Sequence, residues 1–334
     1  MFNTFYLPIR FITMTKKNIV ILLLLSLYFV TINCYAQGDG PRSHLLSPTG
    51  VWAVNPKYLH LDQNLLPNGN ILIKNADITV DVFPTTLVHT FSIGGKFARV
   101  FAMANPGSVK ASAFIEPLAS GQELSANGFS DGFIAFEYGL IGSPALNAIE
   151  FSQHKPQFSL NGYIRYWYSG TYDSSKLLNL GTNRSTFEFG TTMAIPFHKA
   201  ATQNATWLEI MPTVQFYTDN NDPARSALAN KIEQKPLFIV ENHLTHNINK
   251  KLWVGADLRY QLGGETKADG VSDDNNINVL GGGINLGYQI NAPLSAYVGY
   301  GTVLIGDNDI KSNMLRFSLV FAYINLKKIK QSKN

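Results

Sequence analysis

From residue 252 to 262 the chain reads LWVGADLRYQL, and its even and odd positions separate into two faces. Leu252, Val254, Ala256, Leu258, Tyr260 and Leu262 are apolar, whereas the alternate set carries Asp257, Arg259 and Gln261. Strict period-2 alternation predicts a β-strand between two different solvents. A soluble sandwich places the apolar face inward. A barrel in lipid inverts this, with the apolar face outside and a watery interior. One strand does not decide between them.

The alternation recurs along nearly the whole chain and predicts twelve strands, at 51–62, 77–92, 96–105, 132–141, 158–169, 185–197, 206–217, 237–248, 251–262, 277–290, 294–304 and 314–325. Pro56 makes the first the weakest. Most show clear faces. Ile134, Phe136, Tyr138 and Leu140 oppose Glu137; Ile164, Tyr166 and Tyr168 oppose Arg165; Phe187 and Phe189 oppose Glu188. Leu208 and Ile210 oppose Glu209, and Leu315, Phe317 and Phe321 oppose Arg316.

The connections sort by parity. The odd ones (63–76, 106–131, 170–184, 218–236, 263–276 and 305–313) are long and hydrophilic. The even ones are mostly short, as in SIGGK at 92–96, NK at 249–250 and NAP at 291–293, although 142–157 and 198–205 are longer. Long loops at one end and short turns at the other characterise outer-membrane barrels. Aromatics sort by depth too, with Tyr168, Phe216, Tyr260 and Tyr300 at outer strand ends and Tyr288 and Tyr323 at inner ends. The fold class expected is all-β: a transmembrane antiparallel up-and-down barrel of about twelve strands with both termini periplasmic. Such a barrel has a backbone diameter of roughly 24 Å and a passage on the order of 10 Å.

The N-terminus fits export. Lys16 and Lys17 precede the apolar run 19–30, and Ala36 stands before a cut ahead of Gln37; Met14 is an alternative start. A lipoprotein reading of Cys34 is weaker, because Asn33 sits where a small residue is needed. The expected organisation is a signal peptide at 1–36 and one barrel domain at 37–334, with a short basic tail at 325–334. Removing 1–36 takes Arg10, Lys16 and Lys17 and no acids, so the net charge falls from +4 (27 basic, 23 acidic) to +1 (24 against 23). No basic stripe remains for nucleic acid. Cys34 is the only cysteine, so the mature chain has no disulfides.

Four segments, GFSDGFIAFEYGLIGSPAL (128–146), YDSSKLLNLGTNRSTFEFG (172–190), FYTDN (216–220) and LGGETKADGVSDDNN (262–276), resemble the MetA-pathway phenol-degradation family of outer-membrane transporters. The resemblance implies an outer-membrane barrel that passes small compounds, with aromatic degradation as its namesake context. It brings no established binding residues.

Candidate lumen-lining residues are Glu137, Arg165, Glu188, Glu209, Glu241, Asp257, Arg259 and Arg316, with Asp81 and Arg99 on the same assumed face. Arg259 is expected to share the lumen with Arg165 and Arg316, balanced by carboxylates such as Asp257 and Glu209. Glu241 and His243 share a face and read as a lumen pair, whereas Thr245 and His246 point to opposite faces, which argues against a hydrolase. DGVSDDNN lacks calcium-loop spacing, and Gly281–Gly283 precede no helix that would make a phosphate loop. No cofactor or metal is expected, and the chain reads as a non-enzyme. Its expected partners are the outer-membrane bilayer, a small-molecule solute and the barrel assembly machinery. A structural or adhesive barrel is the alternative function.

Overall fold

The computed structural model describes residues 38–67, 70–113, 123–197 and 205–324. The signal segment and the basic tail lie outside them. The first strands are β1 (Val51–Gln63), β2 (Ala76–Val82), β3 (Thr85–Ile93), β4 (Lys96–Ala113) and β5 (Glu123–Ile141). A short helix α1 (Ala148–Gln153) precedes β6 (Ser159–Tyr168), β7 (Thr186–Pro196) and β8 (Thr206–Tyr217). Then come β9 (Ile232–Gln234), β10 (Leu237–Asn247), β11 (Leu252–Gly263), β12 (Thr266–Ala268) and β13 (Val271–Ser272). The last three are β14 (Ile277–Asn291), β15 (Leu294–Gly306) and β16 (Ser312–Ile324).

The main sheet joins sequential neighbours and closes where β1 pairs antiparallel with β16, from Val51↔Ile324 to Gln63↔Ser312. β2 and β3 are one strand interrupted at Phe83–Pro84. Leu59↔Val82 and Pro56↔Thr85 keep a single register across the break. The interruption falls at Pro84, which has no N–H to donate to the ladder. Counted so, the barrel has twelve antiparallel strands. β9, β12 and β13 form a separate small sheet in the long loops. No described helix is long and apolar enough to cross a membrane.

Val51, where β1 starts, and Ile324, where β16 ends, are register partners, so the wall begins and ends at the same end of the barrel as the short turns. The β3–β4 turn has two residues between its strands. Gly94 and Gly95 hold φ of 56° and 75°, the left-handed pair that a two-residue hairpin requires. The long connection 142–158 lies against it: Ala145 N donates to Gly95 O at 3.0 Å, and Lys96 bridges to Pro144. It carries α1, closed by a capping box between Asn147 and Glu150.

The outer end departs from the sequence reading. Residues 106–113 and 123–131 extend β4 and β5 as paired strand rather than loop, from Pro106↔Phe129 to Ser112↔Glu123. A register shift between Met103 and Asn105 reverses the parity of β5, so Phe133, Ala135 and Glu137 are buried below it while Leu124 and Ala126 turn inward above it. Here Leu59, Leu61, Ile78, Val80, Val82, Val109 and Ala111 form an apolar core inside the wall. Asp62, Thr79 and Lys110 stand on the opposite face of the same strands. Asp81 belongs with them. It is register partner to His60 and accepts from Tyr58 Oη at 2.6 Å, on the outward face and not in the lumen. The rule that polar means inward holds at lipid depth and fails where the outside is water.

The loop at 64–75 is not simply hydrophilic either. Leu65 and Leu72 pack with Leu237, Ile239, Ile277, Val279 and Ile310 inside the outer mouth. Gln234 Nε2 donates to Asn70 O at 2.6 Å, and Asn275 Nδ2 to Leu72 O at 3.2 Å.

Candidate functional site

At mid-height the inward residues meet in opposite-charge pairs, and antiparallel register explains why. Arg99 and Glu137 are register partners on β4 and β5, Arg165 and Glu188 on β6 and β7. Glu241 and Arg259 are partners on β10 and β11, as are His243 and Asp257. Inward side chains directly opposite one another are close enough to pair. Arg99 Nε donates to Glu137 Oε2 at 2.9 Å, Arg165 Nη1 lies 3.1 Å from Glu188 Oε1, and Arg259 Nη1 lies 3.0 Å from Glu241 Oε1.

The remaining polar capacity is largely filled. Glu137 is fully buried and also accepts from Asn161 Nδ2 at 2.7 Å and Thr192 Oγ1 at 3.2 Å. Glu188 accepts from Tyr163 Oη, Trp167 Nε1 and Gln215 Nε2. His243 Nδ1 donates to Asp257 Oδ1 at 2.8 Å, and Asn285 Nδ2 to Asp257 Oδ2 at 2.7 Å. Gly281 and Gly283 are the β14 partners of Arg259 and Asp257 and leave room for their side chains. Thr245 is buried, whereas His246 bonds Thr206 instead. His243 therefore pairs with a carboxylate and not with a nucleophile. Among the described residues no group of His, Cys, Asp and Glu could hold a metal ion.

All eight candidate residues are placed in this interior, but their partners differ from those expected. Arg259 faces Glu241, Asp257 faces His243, and Glu209 faces the backbone of a segment that the alternation did not reveal. That segment is residues 38–50, ahead of β1, which crosses the lumen as a strap. Glu209 Oε2 accepts from Arg42 N at 2.7 Å, and its Oε1 from His44 N at 3.3 Å. Asp39 Oδ2 accepts from Arg165 Nη2 at 2.5 Å and His44 Nε2 at 2.8 Å. Lys57 Nζ donates to Asp39 O, Arg99 Nη1 to Ser43 O, and Arg316 Nη2 to Gly38 O. The Arg42 side chain reaches Thr245 and Asn247 and lies 4.5 Å over the Trp253 ring. The strap thus ties β1, β4, β6, β8, β10 and β16 together from inside. The expected passage is filled at this level. Its only sequence signal is the charge in GDGPRSH, a stretch with no strand period.

Above the strap a cavity of about 130 Å³ remains, with Gly38 and Asp39 in its wall. One side is apolar. Phe133 stands edge-on to Trp167 at 4.9 Å, beside Met103 and Met211, with the Arg165 guanidinium 4.3 Å from the Phe133 ring centre. The cavity-lining residues Asn105, Arg165 and Arg259 carry buried polar atoms without a hydrogen-bond partner: Asn105 Oδ1, Arg165 Nε and Arg259 Nε.

Outside, the mid-height wall is apolar: Ile134, Ile164, Phe189, Leu258, Ile284 and Phe317 are all exposed. Tyr168 and Phe216 stand exposed towards one end, and Tyr288 and Tyr323 towards the other. A closed antiparallel barrel with an apolar outer band, aromatic girdles and a charged interior is an outer-membrane β-barrel.

The family described as "Putative MetA-pathway of phenol degradation" matches residues 64–314, and the chain belongs to that family. The crystal structure of an outer membrane channel from Pseudomonas putida F1 has the same fold, at TM-score 0.67 and 17% identity, covering 85% of this chain and 99% of that one. The translocator domain of the autotransporter NalP from Neisseria meningitidis matches at TM-score 0.47 and 12% identity, over 83% of this chain and 90% of that one. The CymD monoaromatic hydrocarbon channel matches at TM-score 0.35 and 8% identity, over 84% and 89%. No curated protein sequence matches the chain.

Proposed function

We propose that this protein passes small solutes passively through the outer membrane, by way of the cavity above the strap. The observation that carries the reading is the cavity itself. Its aromatic side, Phe133 and Trp167, suits a planar apolar solute. Asn105, Arg165 and Arg259, which line the same cavity, give it a polar side for a polar substituent. The eight lumen residues act in this reading as wall and brace, with positive and negative groups paired so that neither sign of ion is strongly preferred. The barrel assembly machinery is the expected folding partner.

The strap sets the resistance. Its hold on the wall runs through Asp39, which meets Arg165 and His44 together. Planar-bilayer conductance and liposome swelling with small aromatic and aliphatic solutes test the reading. The wild type is expected to give a small conductance and to swell with the smallest solutes, and Asp39→Ala to raise both severalfold. A barrel that neither conducts nor swells liposomes, as wild type or as Asp39→Ala, would instead be structural or adhesive. The filled mid-height of the lumen is the observation on that side.

A further inference from the structure

The connection between β6 and β7 folds back into the barrel instead of standing out in water. Its segment KLLNLGTNR carries Leu178 and Leu180 inward, where they pack with Leu59, Leu61, Val80 and Val109. Leu180 is 1% exposed. Leu59 also lines the cavity above the strap, and Leu61 is the next inward residue towards the outer end of β1. The apolar core that holds the loop leucines therefore begins at the cavity and continues outward.

A buried loop without a ladder of its own needs partners for its backbone. One carboxylate of the wall supplies them. Asp131 on β5 accepts at Oδ1 from Gly170 N and from Thr182 N, both at 3.0 Å. Its Oδ2 accepts from Thr182 Oγ1 at 2.6 Å. Gly170 and Thr182 are the two sides of the loop's neck, so a single side chain grips both. Thr171 N donates to Phe129 O at 2.8 Å, and Gly181 N to Thr171 O at 3.0 Å, which draws the neck shut. The approach is close. A Cβ on Gly170 would fall 2.1 Å from Phe129 O, and one on Gly181 would fall 2.6 Å from the Gly170 carbonyl carbon. Asp131 is 5% exposed and lines the cavity beside Ser130 and Phe133, so the grip lies where the loop meets the cavity.

We infer that residues 170–182 are an outer plug of the cavity and that Asp131 is the clasp that keeps it seated, so that a solute enters from outside when the clasp releases. The inference rests on the reading of the cavity as the route for solutes, and it sets a second barrier in series with the strap. The three hydrogen bonds to Asp131 are charge-assisted and share one acceptor, so they are made and lost together. Release is feasible because water from the mouth replaces them at the carboxylate, which leaves no buried charge unpaired. The leucines supply the rest of the hold, through the apolar area they bury.

The test asks whether the cavity can be reached from outside. Met211 lines the cavity, and Met211→Cys places a thiol there. Intact cells are treated with a small, charged thiosulfonate that does not cross the membrane, and labelling at residue 211 is read from the mass of its peptide. The parent barrel should label slowly. Adding Asp131→Ala should raise the rate at least about tenfold, as expected for losing hydrogen bonds to a carboxylate. Leu180→Asp should do the same without touching the clasp, because it sets a charge in the apolar core. Thr182→Val, which loses one of the three bonds, should give a smaller rise. Heat-modifiable mobility shows which variants assemble, and if Asp131→Ala does not, the other two decide. Fast labelling of the parent overturns the inference, as does an unchanged rate in the assembled variants. The readout is entry into the cavity and not passage across the membrane. A protein that labels as expected yet passes no solute would therefore overturn the channel reading and leave the plug standing.

Discussion

Strand β4 passes through two solvents, and its two halves are wired oppositely. Near its start Arg99 points inward to Glu137, while Val100 is exposed on the outer face. Ten residues on, Val109 and Ala111 are buried inside, and Lys110 and Ser112 are exposed outside. Inward parity never changes along the strand. What changes is the exterior, from hydrocarbon to water. At lipid depth the charges must go inside, where they find partners. Past the outer interface, ordinary soluble patterning returns and the lumen fills with Leu61, Val80 and Val109. The outer end of this barrel is built like a soluble sheet, and the middle like its inverse.

The largest expected effect of breaking that contrast lies in the paired interior. Glu137→Gln removes the carboxylate that Arg99 and His44 share while leaving Arg99 buried, and should cost about 3–5 kcal/mol. Urea unfolding followed by heat-modifiable mobility would measure it. A loss below about 1 kcal/mol would mean that water already compensates Arg99.

Next comes the lipid face. Leu258 is 47% exposed at mid-height, and Leu258→Arg should lower membrane yield through a cost of about 2–4 kcal/mol. Normal insertion of that variant would place water, not lipid, outside β11.

A smaller effect belongs to the charge pair one residue on. Arg259→Glu sets two carboxylates face to face across β10 and β11, with an expected cost of about 1–3 kcal/mol and altered ion preference in an assembled barrel. Adding Glu241→Arg restores an opposite pair and should recover most of the loss. Two losses that simply add would show that the residues do not interact.

The lipid-depth strands were legible because alternation, loop parity and aromatic depth each follow from a wall between lipid and water. Their interior residues followed from parity alone, but the pairings did not, because register is fixed only when neighbouring strands are aligned. Asp81 was misplaced for a physical reason: a period-2 pattern carries no mark of where the membrane stops. The upper strand of β5 was hidden by its bulge, which breaks the alternation at Ser130–Phe133. The strap was the least legible part. Asp39 and Arg165 are 126 residues apart, Arg42 and Glu209 are 167 apart, and no local period reports such contacts.

One strand allows the most direct test of the two-solvent wall. Thr79 on β2 and Leu87 on β3 share a register and both face outward, separated by eight residues, or roughly 26 Å. The unfolding free energies of Thr79→Arg and Leu87→Arg, taken side by side in lipid vesicles, measure the solvent at each height. Leu87→Arg should cost about 2–4 kcal/mol and Thr79→Arg less than about 0.5 kcal/mol. Equal costs at the two heights would contradict the account, because they would mean that the whole outer face of the strand meets a single solvent.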